Sequence, residues 1–179
     1  MPSKSKGKTW SMKPNFHEEV VEAVGHCSTT FEFNHNDTDN GATRTWDTRI
    51  MGNFTCPNQS CTSQGWGSKI IPITIRLYPR NKYNARVWHQ RCRKCNTLGV
   101  PSVRESYVER VSVRLKVWSG VRFERTHQMK KKKGPPHEKS LCEGCKAGRC
   151  RQSLEDSSDE EDDDDDDLAS ALGGLGIGG

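Results

Sequence analysis

Six cysteines fall in three close pairs along the 179-residue chain, Cys56 with Cys61, Cys92 with Cys95 and Cys142 with Cys145, and His137 and Cys150 flank the last pair. Together these are eight donors, the number that two tetrahedral zinc ions take. A pair makes half a site because a tight turn between two thiolates aims both sulfurs at one point, while the metal's double charge keeps them deprotonated. Four, two and four residues separate His137, Cys142, Cys145 and Cys150, and the filler is mostly Gly, Lys, Glu and Ser. Nothing in that stretch can pack a core, so metal is what it is built to hold. Cys27 stands outside the set.

Two pairings satisfy this count. In the simpler one a hairpin brings Cys56 and Cys61 beside Cys92 and Cys95 in a ribbon-like site of four cysteines, and His137, Cys142, Cys145 and Cys150 form a second, local site. In the other, Cys142 and Cys145 share a metal with one of the earlier pairs. Both use two Zn2+ per chain.

Zinc with cysteine and histidine also makes enzymes, but their signatures are missing. A zinc deaminase needs H-x-E followed by P-C-x-x-C; His17 and Glu19 supply the first half, and neither C-x2-C follows a proline. A metalloprotease H-E-x-x-H fails because Leu141 stands where the second histidine belongs after His137 and Glu138. A redox C-x-x-C lacks its βαβ context. Sets of four protein ligands leave no position for a substrate water, so a non-catalytic binding module is expected. His17, His26, His35, His89 and His127 read as ordinary polar positions.

The elements that must position these ligands form an α+β pattern: a small zinc-stabilised domain of antiparallel β hairpins with one or two helices. Phe16, Val20 and Val24 predict a short helix after Asn15, with Glu18 placed for a capping box and Gly25 as the stop. "TTFEFNH" and "ATRTWDTRI", separated by "NDTDNG", predict a hairpin. In "WGSKIIPITIRLYP", Ile71, Ile73, Ile75 and Leu77 alternate with Thr74, Arg76 and Tyr78, which predicts a strand with an edge position or bulge at Pro72. "RNKYN" then turns the chain and "ARVWHQRC" returns it to the second cysteine pair. Tyr107, Val111, Leu115 and Trp118 at helical spacing, with a capping box at Ser102 and Glu105 and a stop at Gly120, favour a helix over a strand.

Composition separates this body from its ends. Residues 1–13 read as a disordered basic N-terminus, 14–51 as the helix and hairpin packed on the zinc domain, 52–153 as that domain, and 154–179 as a disordered acidic tail. Eleven acids lie between Glu155 and Asp167, and removing them from the totals of 28 Lys+Arg and 23 Asp+Glu leaves +16 on residues 1–153. The N-terminus lacks the apolar core of a signal peptide, and no window reaches the apolar length of a bilayer span. An intracellular protein, cytoplasmic or nuclear or both, is expected, and in a reducing compartment its cysteines suit metal better than disulfides.

"NFTCPNQSC" with "GWGS", "VWHQRCRKCNTLGVP", "YVERVSVRLKVWSGV" and "GPPHEKSLCEGCKAGRC" resemble, in order, the 3CxxC-type zinc-finger domain of fungal proteins and of the animal receptor-transporting and zygote arrest proteins. The likeness spans roughly Gly52 to Cys150, and H-x4-C-x2-C-x2-G-x-C with Gly148 is its most specific part. It implies zinc at the eight positions above, and its animal members imply two roles, escorting membrane receptors and binding RNA. The first pair is C-x4-C where the family has C-x2-C, and the membrane helix of the receptor-transporting branch has no counterpart.

For nucleic acid, basic and aromatic residues interleave through the predicted hairpin: Arg76, Tyr78, Arg80, Lys82, Tyr83, Arg86, Trp88, Arg91, Arg93 and Lys94. Such a surface holds phosphates and stacks unpaired bases; the alternative is that the aromatics pack the hairpin and the charges are its solvated face. Lys130, Lys131, Lys132 and Lys133 add a basic run that reads as a phosphate-contacting loop, a nuclear-localisation signal or a solvated linker. The acidic tail offers a surface for basic protein partners, which makes a protein-interaction adaptor the second reading.

Overall fold

Alternation over Ile71, Ile73 and Ile75 builds the longest strand of a six-stranded sheet, and both of its faces are covered. The computed structural model describes residues 7–27, 29–121 and 136–150; Lys130–Lys133, His127 and the acidic tail lie outside them. The elements are β1 (Trp10–Ser11), α1 (His17–Val24), β2 (Glu32–Phe33), β3 (Arg44–Thr55), β4 (Gly65–Tyr78), β5 (Lys82–Trp88), β6 (Val100–Ser102), α2 (Arg104–Trp118) and α3 (Glu143–Lys146). Strand order is β1-β5-β4-β3-β6, with β2 joined in parallel to β5. The fold is a small α+β domain with antiparallel hairpins, as expected.

One face of the sheet carries the apolar core. Register aligns Ile73 with Val87 and Ile75 with Ala85, and these side chains are fully buried with Tyr107, Val111 and Leu115 of α2 and Val20 of α1. α2 is a helix because its apolar residues recur at 3.6-residue spacing over that face. The capping box expected at Ser102 is not made: Ser102 is extended in β6, opposite Asn53, and Val103 occupies the N-cap without a side-chain cap. At α1 the N-cap is Phe16, also without a side-chain cap, and Gly25 at φ 71° ends the helix where other residues would be strained. Pro72 lies beside a shift of β3–β4 register and beyond the last β4–β5 pair, Ile73 with Val87, so its missing N–H takes no bond from β5.

The hairpin expected within residues 29–51 does not form. β2 pairs with β5, β3 pairs with β4 over its whole length, and residue 52, where the zinc domain was expected to begin, lies inside β3. The "NDTDNG" segment instead crosses the second face of the sheet, for an electrostatic reason. Arg76, fully buried, donates from Nη2 to Asp37 and from Nη1 to Asp39, both at 2.8 Å, and from Nε to Asn84 at 2.9 Å. Arg86 donates from Nε to the same Asp37 oxygen at 2.6 Å, and the Asn84 amide donates to the carbonyls of Asn34 and Asn36 at 3.0 Å. A turn whose two carboxylates are needed to neutralise two buried guanidiniums cannot also be a free hairpin tip.

Candidate metal centres and nucleic-acid surface

The first cluster assembles from two loops. Cys56 and Cys61 sit between β3 and β4, where Asn58 makes the turn: its side-chain oxygen accepts from Ser60 N and its carbonyl from Cys61 N. Cys92 and Cys95 sit at the tip of a knuckle that continues β5, in which Arg91 bridges Leu98 and Cys92 N donates to Thr97 O at 2.9 Å. Asn96 turns this tip in the left-handed region at φ 58°. Cys56 and Cys95 sulfurs are 3.5 Å apart, and those of Cys61 and Cys92 are 3.8 Å apart.

The second cluster is local. The Cys145 sulfur lies 3.2 Å and the Cys150 sulfur 3.7 Å from His137 Nε2. Gly148, at φ 68°, makes the backbone reversal that returns Cys150 to the cluster, with Arg149 N donating to Gly144 O at 2.8 Å. α3 presses directly on the sheet: a Cβ at Gly144 would lie 2.7 Å from the Pro72 side chain. Residues 89–92 couple the two centres. Glu143 N donates to His89 O and Arg91 N to Leu141 O on the side of the second cluster, while Gly99 N donates to Gln90 O on the side of the first.

Both donor sets fit zinc. Zn–S bonds of about 2.3 Å in a tetrahedron place sulfurs about 3.8 Å apart, and all ligand atoms of each group fall within 4.8 Å of one another. The interleaved pairing is thereby set aside, because Cys142 and Cys145 share their cluster with His137 and Cys150. The thiols cannot all ionise alone. At Cys56 a backbone N–H from Asn58 favours the thiolate, but burial and proton sharing with Cys95, Cys92 and Cys61 push it up to about 12. Cys95 is drawn down to about 6 by the Thr97 hydroxyl, 3.3 Å away, and by the Thr97 backbone. Burial and the hydrogen bond with Cys150 push Cys145 up to about 11. A divalent cation at the centre stabilises every member of such a set as thiolate.

Two sets of four Cys and His donors, each gathered to one point and coupled through residues 89–92 at the end of β5, define a zinc-ribbon type of zinc-binding domain. The 3CxxC zinc-ribbon model, described as a zinc-binding domain, matches residues 49–148, more than half of the chain, and the chain belongs to that family. No curated protein and no solved structure matches it.

The residues expected to hold nucleic acid are divided by the fold. Arg76, Tyr78 and Arg86 are turned into the second face beneath residues 34–40, and Trp88 is buried on the same face, so this part of the expected surface is corrected to interior. Trp88 Nε1 donates to Thr74 Oγ1 at 3.0 Å, and Trp10 covers it with ring centroids 5.2 Å apart. Tyr83 is fully buried on the core face. Arg91 is held by Glu143. Arg80 is exposed at the β4–β5 turn and Lys82 pairs with Glu32 at 4.0 Å. Arg93 and Lys94 are exposed at the rim of a cavity of about 740 Å³ between the two centres, with Lys69, Met51, Trp66 and Pro136; Arg93 reaches Glu138 at 2.8 Å.

Sequence reasoning missed another grouping of the same chemistry. The Arg114 guanidinium carbon lies 3.3 Å from the Trp46 ring centroid and 6.0 Å from that of Trp118. No local signal could have found it, because a strand residue and a helix residue 68 positions apart meet only through the β3–α2 packing. No helix among the described residues is long and apolar enough to cross a membrane.

Proposed function

We propose that this chain is a non-catalytic, intracellular RNA-binding module whose zinc ions are structural. The observation that carries the reading is charge. Residues 1–153 hold sixteen more cations than acids; with seven ligating cysteines as thiolates on two Zn2+, thirteen positive charges still remain. A polycation of this density attracts phosphate backbones before any base is read. Two sets of four protein ligands fill zinc's tetrahedral shell, which supports a structural rather than a catalytic role for the metal. A salt series of binding to fluorescent oligouridine tests the proposal: log affinity should fall linearly with log salt, with a slope of about 0.7 per phosphate contact. Absence of salt-dependent binding would move the reading to a protein-interaction adaptor, for which the eleven acids after Leu154 offer a surface for basic partners.

A further inference from the structure

From the β3–α2 packing we infer that the nucleic-acid contact lies on the face formed by Arg44, Trp46, Arg110, Arg114 and Trp118, and that its ligand is single-stranded RNA. The inference rests on the RNA reading above and gives it a location. On β3, Arg44 and Trp46 point to the same side of the sheet, two residues apart. On α2, Arg110, Arg114 and Trp118 follow one another at four-residue intervals and so lie along one stripe, about 12 Å long at the helical rise of 1.5 Å per residue. Arg114 joins the two rows by lying against both indoles.

Three observations suit this face to a single strand. Glu105 and Glu109, the acids of α2, line the groove towards α1 with Glu19 and so lie away from the exposed Arg44 and Arg110. Arg44 and Arg110 are exposed. The aromatics are only partly buried, although they pack on the core, and exposed Val117 and Val121 extend the apolar surface beside them. Cations that track a backbone, set among indoles and a guanidinium plane on which bases stack, are the components by which unpaired strands are held without sequence readout. A purely acidic peptide would use the arginines and leave the indoles idle.

Arg44→Gln with Arg110→Gln, in the full chain with zinc bound, tests the location, with Arg80→Gln with Lys82→Gln at the β4–β5 turn as the control pair. Thermal melts and zinc content of both pairs should match the parent. Oligouridine affinity should fall at least tenfold in the first pair, and its salt slope should shrink by about 1.4, two contacts at about 0.7 each, while the control changes less than twofold. Ultraviolet crosslinking of the parent should join uridine to Trp46 or Trp118. A loss confined to the control pair, or crosslinks elsewhere, would overturn the location while leaving RNA binding standing. No salt-dependent binding by the parent would remove both. Equal competition by polyaspartate, charge for charge, would assign the face to an acidic segment instead.

Discussion

Two arginine–tryptophan clusters occupy opposite faces of one sheet and have opposite fates. On the β4–β5 face Arg86 lies 4.8 Å from the Trp10 ring and, with Arg76, is sealed beneath a loop that brings Asp37 and Asp39 into hydrogen-bonding range. On the β3–α2 face Arg114 lies against Trp46 and Trp118, and the acids of its helix are turned towards α1. The residue types are the same. What differs is where the carboxylates sit: Asp37 and Asp39 lie on the loop that covers Arg76 and Arg86, whereas Glu105 and Glu109 of α2 line the groove towards α1. Interleaved basic and aromatic residues therefore announce a surface only where no acidic segment of the same chain is placed to cover them.

The largest expected effect removes the frame that both clusters hang on. Metal binding in small zinc sites is folding free energy, on the order of 10 kcal/mol. Cys92→Ser, Cys142→Ser or a strong chelator should melt at least the knuckle and α3, with zinc content falling in step. Cys27, whose thiol donates to Thr29 O at 3.0 Å at the margin of the core, should lose no more than about 1 kcal/mol on change to Ser. Thermal melts that rank Cys27→Ser with the other two would show the ligand set to be wrong.

Next in size, the two clusters themselves should separate. Arg76→Ala leaves Asp37 short of a partner on the covered face and should lower unfolding stability by about 3–5 kcal/mol. Arg110→Ala, exposed on the other face, should stay within about 0.5 kcal/mol. Denaturant titrations of both variants decide it, and equal losses would break the contrast.

What could be read from the sequence follows from the range over which each signal acts. The eight ligands were legible because each cysteine pair is a local device, complete within four to six residues, and His137 and Cys150 flank the last pair at short intervals. β4 and α2 were legible because their alternation and 3.6-residue period each reflect one face packed on the apolar core. The false hairpin over residues 29–51 arose because "NDTDNG" has the composition of a turn, and only the fold reveals that Asp37 and Asp39 serve arginines 37 to 49 positions away. The Trp46–Arg114 contact was invisible for the same reason. Contacts between residues far apart in the sequence decided both misses, and they leave no periodicity behind.

A third test probes a half-buried ring whose inner nitrogen has no hydrogen-bond partner. His89 Nε2 lies 2.9 Å from Ser11 Oγ, but its buried Nδ1 has no partner. Burial first, and then repulsion from Lys13, hold its pKa down to about 4, against a smaller pull upward from Glu143. The folded value lies below the ordinary histidine value of about 6.5, so the unfolded chain takes up the proton first. Its contribution to stability is complete above about pH 6.5 and declines as pH falls towards 4. Between pH 7 and 5.5, with zinc content monitored, His89→Gln should therefore lose stability less steeply than the parent. Parallel slopes would mean that the ring takes up its proton as readily in the fold as in the unfolded chain.

The smallest effect concerns the acids that the sheet does not use. Asp37 and Asp39 show that this chain answers its own arginines with its own carboxylates, and eleven more lie between Glu155 and Asp167, five residues beyond the last metal ligand. Tethered so closely, they act on the positive body at an effective concentration in roughly the millimolar range. They should compete with RNA for the exposed cations, and screening should weaken the competition once the Debye length drops below about 10 Å, above 0.1 M salt. Truncation after Ser153 should tighten oligouridine binding about two- to tenfold at low salt, for a tail that holds the body with a dissociation constant near that concentration, and much less at high salt. Phosphates on Ser157 and Ser158, each adding about −1.5 to −2 of charge, should weaken binding further in the full chain and not in the truncated one. Coincident salt series for the two chains would show that the acids after Leu154, unlike Asp37 and Asp39, have no cation of this chain to answer.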